Sequence, residues 1–500
     1  MKKNKIKQTL LICLLALAAL SCSESFLEQF PETGLNEGNF YKQQSDFVGL
    51  ANGLYVPLRE YHKSDFWLLA EVPSDNGTYQ FNAVDAAAAS WRNIDEIRFQ
   101  NGVGGTGGFW IQSYNGIART NKLLEEIDRE ITWDNPAVKD RTKGEAHFMR
   151  ALYYFNLVRI FGGVPIVMET ITYEEAKDYQ RASVPAVYEV IVNDLTAAIN
   201  HFQVSREVHE PGRASLGAAQ ALLGKVYLTL HQYAEAERVL KQVIDLGEYQ
   251  LLSNYSELFD PSIKNHPESI FAVQYSEANR ALSHRLIFHF APSTSGGEVT
   301  MRSNIIINNS WSGWNLPTDD LIDAFEPGDI RKEASVAIWT GPDYDGVTKQ
   351  IPYVGKYKPP VSATDDRTGD NIYVLRYADV LLMYAEALNE QGKTGEAIPF
   401  VEQVRTRAQL NEPLTEYGQD QLSALIAKER QVEFCFENQR WFDLLRTGKA
   451  IEVINAHGER EKAAKPYLRS DGFNLTEDFL LFPIPEDQIL INGLEQNPGY

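Results

Sequence analysis

Apolar side chains recur at helical spacing, three to four residues apart, in several separate stretches of this chain. Phe40 to Arg59 is the first. Trp110-Ile111, Tyr114, Ile117-Ala118, Leu123-Leu124 and Ile127 make the second, and Glu145 to Phe161 the third. Gly162-Gly163 stops the third stretch and Pro165 prevents its resumption, as helix C-terminal signals should.

Two later stretches share a plan. Leu216 to Leu230 is an apolar helix with Ala and Gly at close-packing positions, followed by a turn at His231-Gln232-Tyr233 and a second amphipathic helix, Ala234 to Ile244. Arg376 to Glu390 repeats the theme, turns at Gln391-Gly392-Lys393, and continues from Thr394 to Ala408. Helix, tight turn, helix with small residues at the contact resembles tetratricopeptide units, whose period is about 34 residues. Arg150 to Ile160 and Val187 to Asn200 are expected partners in the same stack, and helical order returns from Leu422 to Gly448.

Between these stretches the pattern breaks. Lys63 to Gly108 is irregular, and from Tyr249 to Asn371 Gly, Pro, Asn, Asp and Trp punctuate short β-like runs such as Ser269 to Tyr275. The expectation is a mainly α fold: a right-handed tetratricopeptide-like superhelix with long loop-rich insertions and a few short β-strands. It forms one domain over 41–500, with scaffold at about 41–62, 109–247 and 373–450 and loop-rich segments at about 63–108 and 249–371. Loops held by a rigid scaffold are where recognition is expected.

The N-terminus has its own grammar. Lys2, Lys3, Lys5 and Lys7 precede an apolar run, Leu10 to Leu20, and then Ser21-Cys22-Ser23-Glu24-Ser25. Eleven apolar residues fall short of the ~20 that a spanning helix needs, and the plan is that of a secretory signal peptide over 1–21. Ala19-Leu20-Ser21-Cys22 resembles the lipobox of bacterial lipoproteins, which implies lipidation at Cys22 and a polar tether over 22–40. The membrane is then met through the lipid anchor alone.

Charge narrows the partners. The chain carries 47 basic and 68 acidic side chains, a net charge of -21, and loss of the four signal lysines would leave -25. Such a polyanion repels nucleic acid and anionic lipid. Of three cysteines, Cys13 leaves with the signal and Cys22 is capped. Cys435 falls in the apolar phase of a helix and reads as core.

Catalytic patterns are weak. Gly102-Val103-Gly104-Gly105-Thr106-Gly107 satisfies a dinucleotide fingerprint, but the stretch before it, Asp95 to Phe99, is too charged for the buried strand that motif requires. No nucleophile elbow, zinc-protease motif or paired C-x-x-C occurs, and the nine histidines form no ligand spacing. Asp343-Tyr344-Asp345-Gly346 lacks the remaining ligands of a calcium loop. Neither cofactor nor metal is expected. Acid pairs for glycoside hydrolysis stay open, because only their separation in space is diagnostic.

From Glu145-Ala146-His147-Phe148-Met149-Arg150 to Phe161-Gly162-Gly163-Val164-Pro165 the chain resembles the SusD/RagB family of outer-membrane lipoproteins. So do Gly313-Trp314-Asn315-Leu316-Pro317-Thr318, Asp329-Ile330-Arg331, Arg376-Tyr377-Ala378-Asp379, Arg440-Trp441-Phe442-Asp443 and the ending Gln496-Asn497-Pro498-Gly499-Tyr500. The resemblance implies a helical scaffold without catalysis that binds a glycan and delivers it to a SusC-like TonB-dependent transporter. A lipid-anchored glycoside hydrolase and a tetratricopeptide scaffold for protein partners are the alternatives. Arg440, Trp441, Asp443 and Arg446 are expected to tie the last helix into the core.

Ligand contacts in such a family lie in variable loops, so motifs do not carry them over. Sugar rings stack their C–H faces on flat aromatics while amides and acids meet the hydroxyls. The loop aromatics beside such groups are Trp67, Tyr79 (with Asn76), Trp91, Trp311, Trp314 and Tyr344. Trp311 stands clearest, flanked by polar residues; Trp67, in an apolar run, and Trp314, inside the family-like motif, are equally placed for packing.

Overall fold

The chain was analysed as a computed structural model, which describes residues 40–83, 89–100, 102–300, 312–359 and 367–500. The signal stretch, Cys22, the tether up to residue 39 and Trp311 lie outside the described residues.

The longer helices are α1 (Gln44–Ser64), α2 (Thr106–Glu126), α3 (Pro136–Phe161), α4 (Val184–Val204), α5 (Leu216–Thr229), α6 (Tyr233–Asp245), α7 (Tyr377–Glu390), α8 (Thr394–Arg407), α9 (Gln419–Glu433) and α10 (Ala450–Ala464). Each from α1 to α8 packs on its successor, and α9 returns onto α7, so the helices form the expected continuous stack of pairs. Their ends follow from local chemistry. The Asn135 side chain accepts from Ala137 N–H at 3.0 Å with Pro136 at the first turn, Ser215 caps α5, and Gly162 closes α3 at φ +74°. Small residues set the spacing between helices. A Cβ on Gly116 of α2 would sit 2.2 Å from the Tyr153 ring, and one on Gly224 of α5 would sit 2.5 Å from Leu240.

Several boundaries move outward from the sequence reading. α3 starts nine residues before Glu145, and the irregular 63–108 segment holds short helices at Phe66–Ala70 and Ala89–Asp95. The predicted helix from Leu422 to Gly448 is broken. Phe436 (φ +65°) and Asn438 (φ +60°) divide α9 from the short helix Arg440–Arg446. Cys435 falls in that break, buried as expected, with its thiol against the Val432 carbonyl at 3.3 Å. The glycine-rich stretch at 102–107 enters α2 with no strand over 89–100, so the dinucleotide reading fails on its own structural requirement.

The described strands are short antiparallel pairs. β1 (Gly77–Thr78) pairs β3 (Leu316–Pro317), β2 (Ser269–Val273) pairs β6 (Ile372–Arg376), and β4 (Val336–Pro342) forms a hairpin with β5 (Thr348–Val354). β1–β3 joins the two loop segments to each other, β2–β6 joins the second to the start of α7, and a buried ionic spine completes the attachment. Arg376 bonds Glu268 at 2.9 Å, Glu437 at 2.8 Å and Glu433; Arg331 bonds Asp329 at 2.7 Å, Glu433 at 2.9 Å and Glu429. Arg407 adds Glu268 and Glu433, and Lys356 reaches Glu437 at 2.7 Å. Burial alone would raise the Glu433 carboxyl, but Arg407, Arg376 and Arg331 together hold it far below the usual range. The last helices are fixed the same way. Arg440 pairs with Asp75 at 2.7 Å, Asp443 with Arg430 and Arg446 at 2.9 Å each, and Trp441 is fully buried, as expected of that motif.

Candidate functional site

Five of the loop segments converge on one column of aromatic rings. The helix Phe66–Ala70, which follows α1 almost without a break, carries Trp67 inward. Pairing of β1 with β3 sets Tyr79 beside the 312–315 segment that precedes β3 and carries Trp314, and the helix Ala89–Asp95 lays Trp91 between them. Trp67 meets Trp91 edge-on at 5.5 Å, Trp91 meets Trp314 at 5.1 Å, and Trp314 meets Tyr79 at 5.7 Å, all within the range of favourable ring pairs. Beyond Tyr79 lie Tyr467 at 6.4 Å and then Phe81, stacked on Tyr467 at 3.9 Å with only 6° between planes. The Arg92 guanidinium sits 5.9 Å from the Phe81 centroid and 6.0 Å from that of Tyr79.

The column runs from core to surface. Trp67 is 2% exposed, Trp314 3% and Tyr79 5%, whereas Trp91 and Phe81 are half-buried and Tyr467 is 37% exposed. Polar groups frame the outer end. Gln80 donates to Asp343 Oδ1 at 2.8 Å and to Thr294 at 3.0 Å, and its carbonyl oxygen accepts from Ser293 N–H at 2.6 Å. Asp343 and half-buried Tyr344 stand at the β4–β5 turn, where Lys349 reaches both Asp343 and Asp345. Lys349 thus supplies a counter-charge to both acids of the turn. Among the described residues no group of His, Cys, Asp and Glu is arranged to hold a metal.

The residues singled out by sequence are thus placed as follows. Trp67, Trp91, Trp314 and Tyr79 are gathered into the column, with Trp67 and Trp314 taking the packing role left open for them. Asn76 is a strut. Fully buried, it donates to Glu71 at 3.2 Å and accepts from Gln431 at 3.1 Å, so loop 74–79 is tied to the break after α9 through Glu71, which bonds the Phe436 and Asn438 amides. Burial pushes the Glu71 carboxyl up to about 7. Tyr344 sits at the rim, and Trp311 falls outside the described residues.

Phe81 and Tyr467 were missed. Tyr467 lies in Lys465 to Asp471, a turn-rich run that carries the same signal used for Trp91, an aromatic among polar neighbours, but outside the two loop-rich segments. The carboxylates nearest the rim are engaged: Glu96 accepts from Tyr79 OH at 2.7 Å, and Glu461 pairs with Lys465. Buried Asp95 has its carboxyl raised well above its ordinary value by burial.

A helical-pair scaffold presenting a loop-borne aromatic rim is the fold of SusD-like proteins, and the comparisons place the chain among them. Residues 339–500 match the model of the SusD family and residues 26–228 the model "Starch-binding associating with outer membrane". The SusD-like protein P38 of Formosa agariphila is 27% identical over 100% of both chains. The starch-binding protein SusD of Bacteroides thetaiotaomicron is 23% identical over 72% of this chain and 73% of its own. Among solved structures, a laminarin-binding SusD-like protein superposes with a TM-score of 0.74 at 27% identity, covering 92% of this chain and 100% of that one. A SusD superfamily protein from Parabacteroides distasonis gives 0.74 at 28%, covering 91% and 99%. The chain belongs to the SusD/RagB family.

Proposed function

We propose that this protein is a non-catalytic, lipid-anchored glycan receptor of the outer-membrane surface, which captures oligosaccharide on the aromatic rim and passes it to a SusC-like TonB-dependent transporter. The carrying observation is the column of rings that leaves the core at Tyr79 and ends at the surface as the Phe81–Tyr467 pair. Core packing accounts for the inner rings. The outer pair leaves apolar ring surface beside Arg92, Gln80 and Asp343, the mixture that a sugar's C–H face and hydroxyls require. The names of the laminarin-binding and starch-binding relatives point the same way.

The rim carboxylates favour binding over hydrolysis, since Glu96 and Glu461 are already held by Tyr79, Arg98 and Lys465. A protein partner is in keeping with the exposed apolar side chains of Ile111, Met168, Tyr173, Leu490 and Ile491. Electrophoresis of the purified protein through gels containing laminarin, starch and other glycans tests the reading. Retardation in at least one gel without release of reducing ends is the expected result. Release of reducing ends would establish a hydrolase, and free migration in every gel would leave a scaffold for protein partners.

A further inference from the structure

Against α1 lies a cavity of about 280 Å³. Its walls are one face of α1, with Asn52, Tyr55 and Arg59 at helical spacing, the turn Glu210 to Arg213, and the end of β2 with Gln274. Gly212 shapes the wall: it adopts φ +84°, and a Cβ there would press to 2.9 Å from the Gln274 side chain.

Most of the charge around this cavity is spent. Arg213 grips Glu145 with two nitrogens, at 2.9 and 2.7 Å, and reaches Asn52 Oδ1 at 2.6 Å with the third. Glu210 is taken by Arg141, and Glu60 by Lys63 at 2.7 Å. Gln274 is bonded to Asn265 and to the Ala272 carbonyl. Arg59 differs. Its side chain is half-buried and, among the described residues, makes no hydrogen bond or ion pair; its Nε is sealed from solvent with no acceptor, as is that of Arg407 in the spine. The spine shows how this fold treats a buried arginine: Arg331, Arg376 and Arg407 each hold at least two carboxylates. An arginine that holds no carboxylate leaves the Nη donors of its guanidinium to be met by a ligand anion.

We propose that this cavity is an anion subsite in which Arg59 receives a carboxylate, the remaining space taking the small body that bears it. A guanidinium fork matches a carboxylate in plane and spacing. Asn52, whose oxygen is held by Arg213, keeps its NH2 group for a ligand hydroxyl. The volume lies just under the roughly 300 Å³ at which drug-sized pockets begin, which suits a single ring. The source we assign is an acidic sugar; that choice rests on the glycan reading above, whereas the anion subsite does not.

Isothermal titration of the mature full-length protein with glucuronate, glucose and acetate tests this. Glucuronate should bind, glucose should give no heat, and Arg59→Ala should weaken glucuronate at least tenfold while Arg59→Lys retains part of the affinity. Circular dichroism and melting checks each variant, and Arg59→Gln substitutes if the alanine variant does not fold. Glucuronate no better than glucose, or unchanged in Arg59→Ala, would overturn the subsite. Acetate as tight as glucuronate would overturn the sugar source. Tyr467→Ala separates the two sites: it should leave glucuronate binding intact even if it abolishes retention of neutral glycan.

Discussion

Two parts of this molecule use large side chains in opposite ways. The ionic spine around α9 buries arginines and glutamates that hold one another. The aromatic column around Trp91 buries rings at one end and releases them at the other. Each cation of the spine already holds a carboxylate, so the spine offers a ligand no free charge. The column is closed only at its inner end, and the rings at its outer end are held in place by neighbours that are themselves core. A binding surface built this way is rigid because it continues the core, not because it has its own fastening. The spine, in turn, holds the loops that carry the column: Arg331, Lys356 and Arg376, from the loop-rich part of the chain or its edge, all meet on α9 or just beyond it, and Glu268 joins them through Arg376.

Breaking the spine should therefore have the largest effect, and on stability alone. Arg376→Met leaves Glu268, Glu433 and Glu437 facing one another without their shared cation, and loss of one partner from such a buried network costs about 3–5 kcal/mol. Urea denaturation measures it. Any protein still folded should retain its glycan affinity; a variant that keeps full stability but loses binding would reverse the roles given to the two regions.

Tyr467→Ala probes the outer end of the column. Stacking of a flat ligand face on one aromatic is worth about 1–3 kcal/mol, by analogy with bases on aromatic side chains. Glycan retention should fall by that amount in affinity gel electrophoresis. The melting temperature should move little, since a third of the residue is already solvated. Unchanged migration would move the site away from the Phe81–Tyr467 pair.

The helical scaffold was legible because period, caps and stops are local. Gly162 after α3, Ser215 before α5 and the three-residue turns after α5 and α7 all stood in the sequence. The column was legible only in part. Trp67, Trp91, Trp314 and Tyr79 could be named as loop aromatics, but which end of a stack each occupies depends on pairing between β1 and β3, more than 230 residues apart, as in Gly77 opposite Pro317. Tyr467 went unnoticed because it lies outside the two loop-rich segments, and Phe81 because its place is set by stacking on Tyr467, far away in the chain. The spine motifs, by contrast, read as structural from sequence and proved so. Cys435 shows the limit from the other side: its burial was legible, but the helix around it was not, because positive φ at Phe436 and Asn438 left no glycine to mark the break.

Buried acids without arginines give a pH-dependent contrast. Burial pushes Asp370 up to about 7 against the opposing pull of Lys264 and Lys358, and its Oδ2 has no hydrogen-bond partner. A raised carboxyl binds its proton more tightly when folded, so its contribution falls as pH climbs from about 4 to about 7 and is flat above that. Glu433 and Asp443 run the other way. Arginines hold them below the usual range, so their contribution is complete above about 4.5 and is lost only as pH falls through their folded values, deep in acid. Between pH 5 and 8 the spine should be silent. The native protein should lose about 1–3 kcal/mol more than Asp370→Asn across that interval. Buried His266 and His284, both lowered to about 4 by desolvation, act alike in the two proteins and cancel. Parallel stability curves would remove Asp370 as the titrating group.

The smallest effect should come from Lys349→Ala, at the polar edge of the rim. Lys349 is 43% exposed at its side chain and pairs with Asp343 and Asp345 at 2.7 and 2.8 Å. Exposed pairs of this kind contribute between nothing and about 1 kcal/mol, because water screens them and two long side chains must be ordered. The substitution leaves the Gln80 bond to Asp343 in place, so the carboxylate stays at the rim with one fewer cation on it. If Asp343 meets a ligand hydroxyl, glycan affinity should rise slightly or hold, and stability should drop by less than about 1 kcal/mol. A larger loss of stability would mean that the β4–β5 turn belongs with the spine, as a part that cannot be touched without unfolding, and the rim would then end at Tyr467.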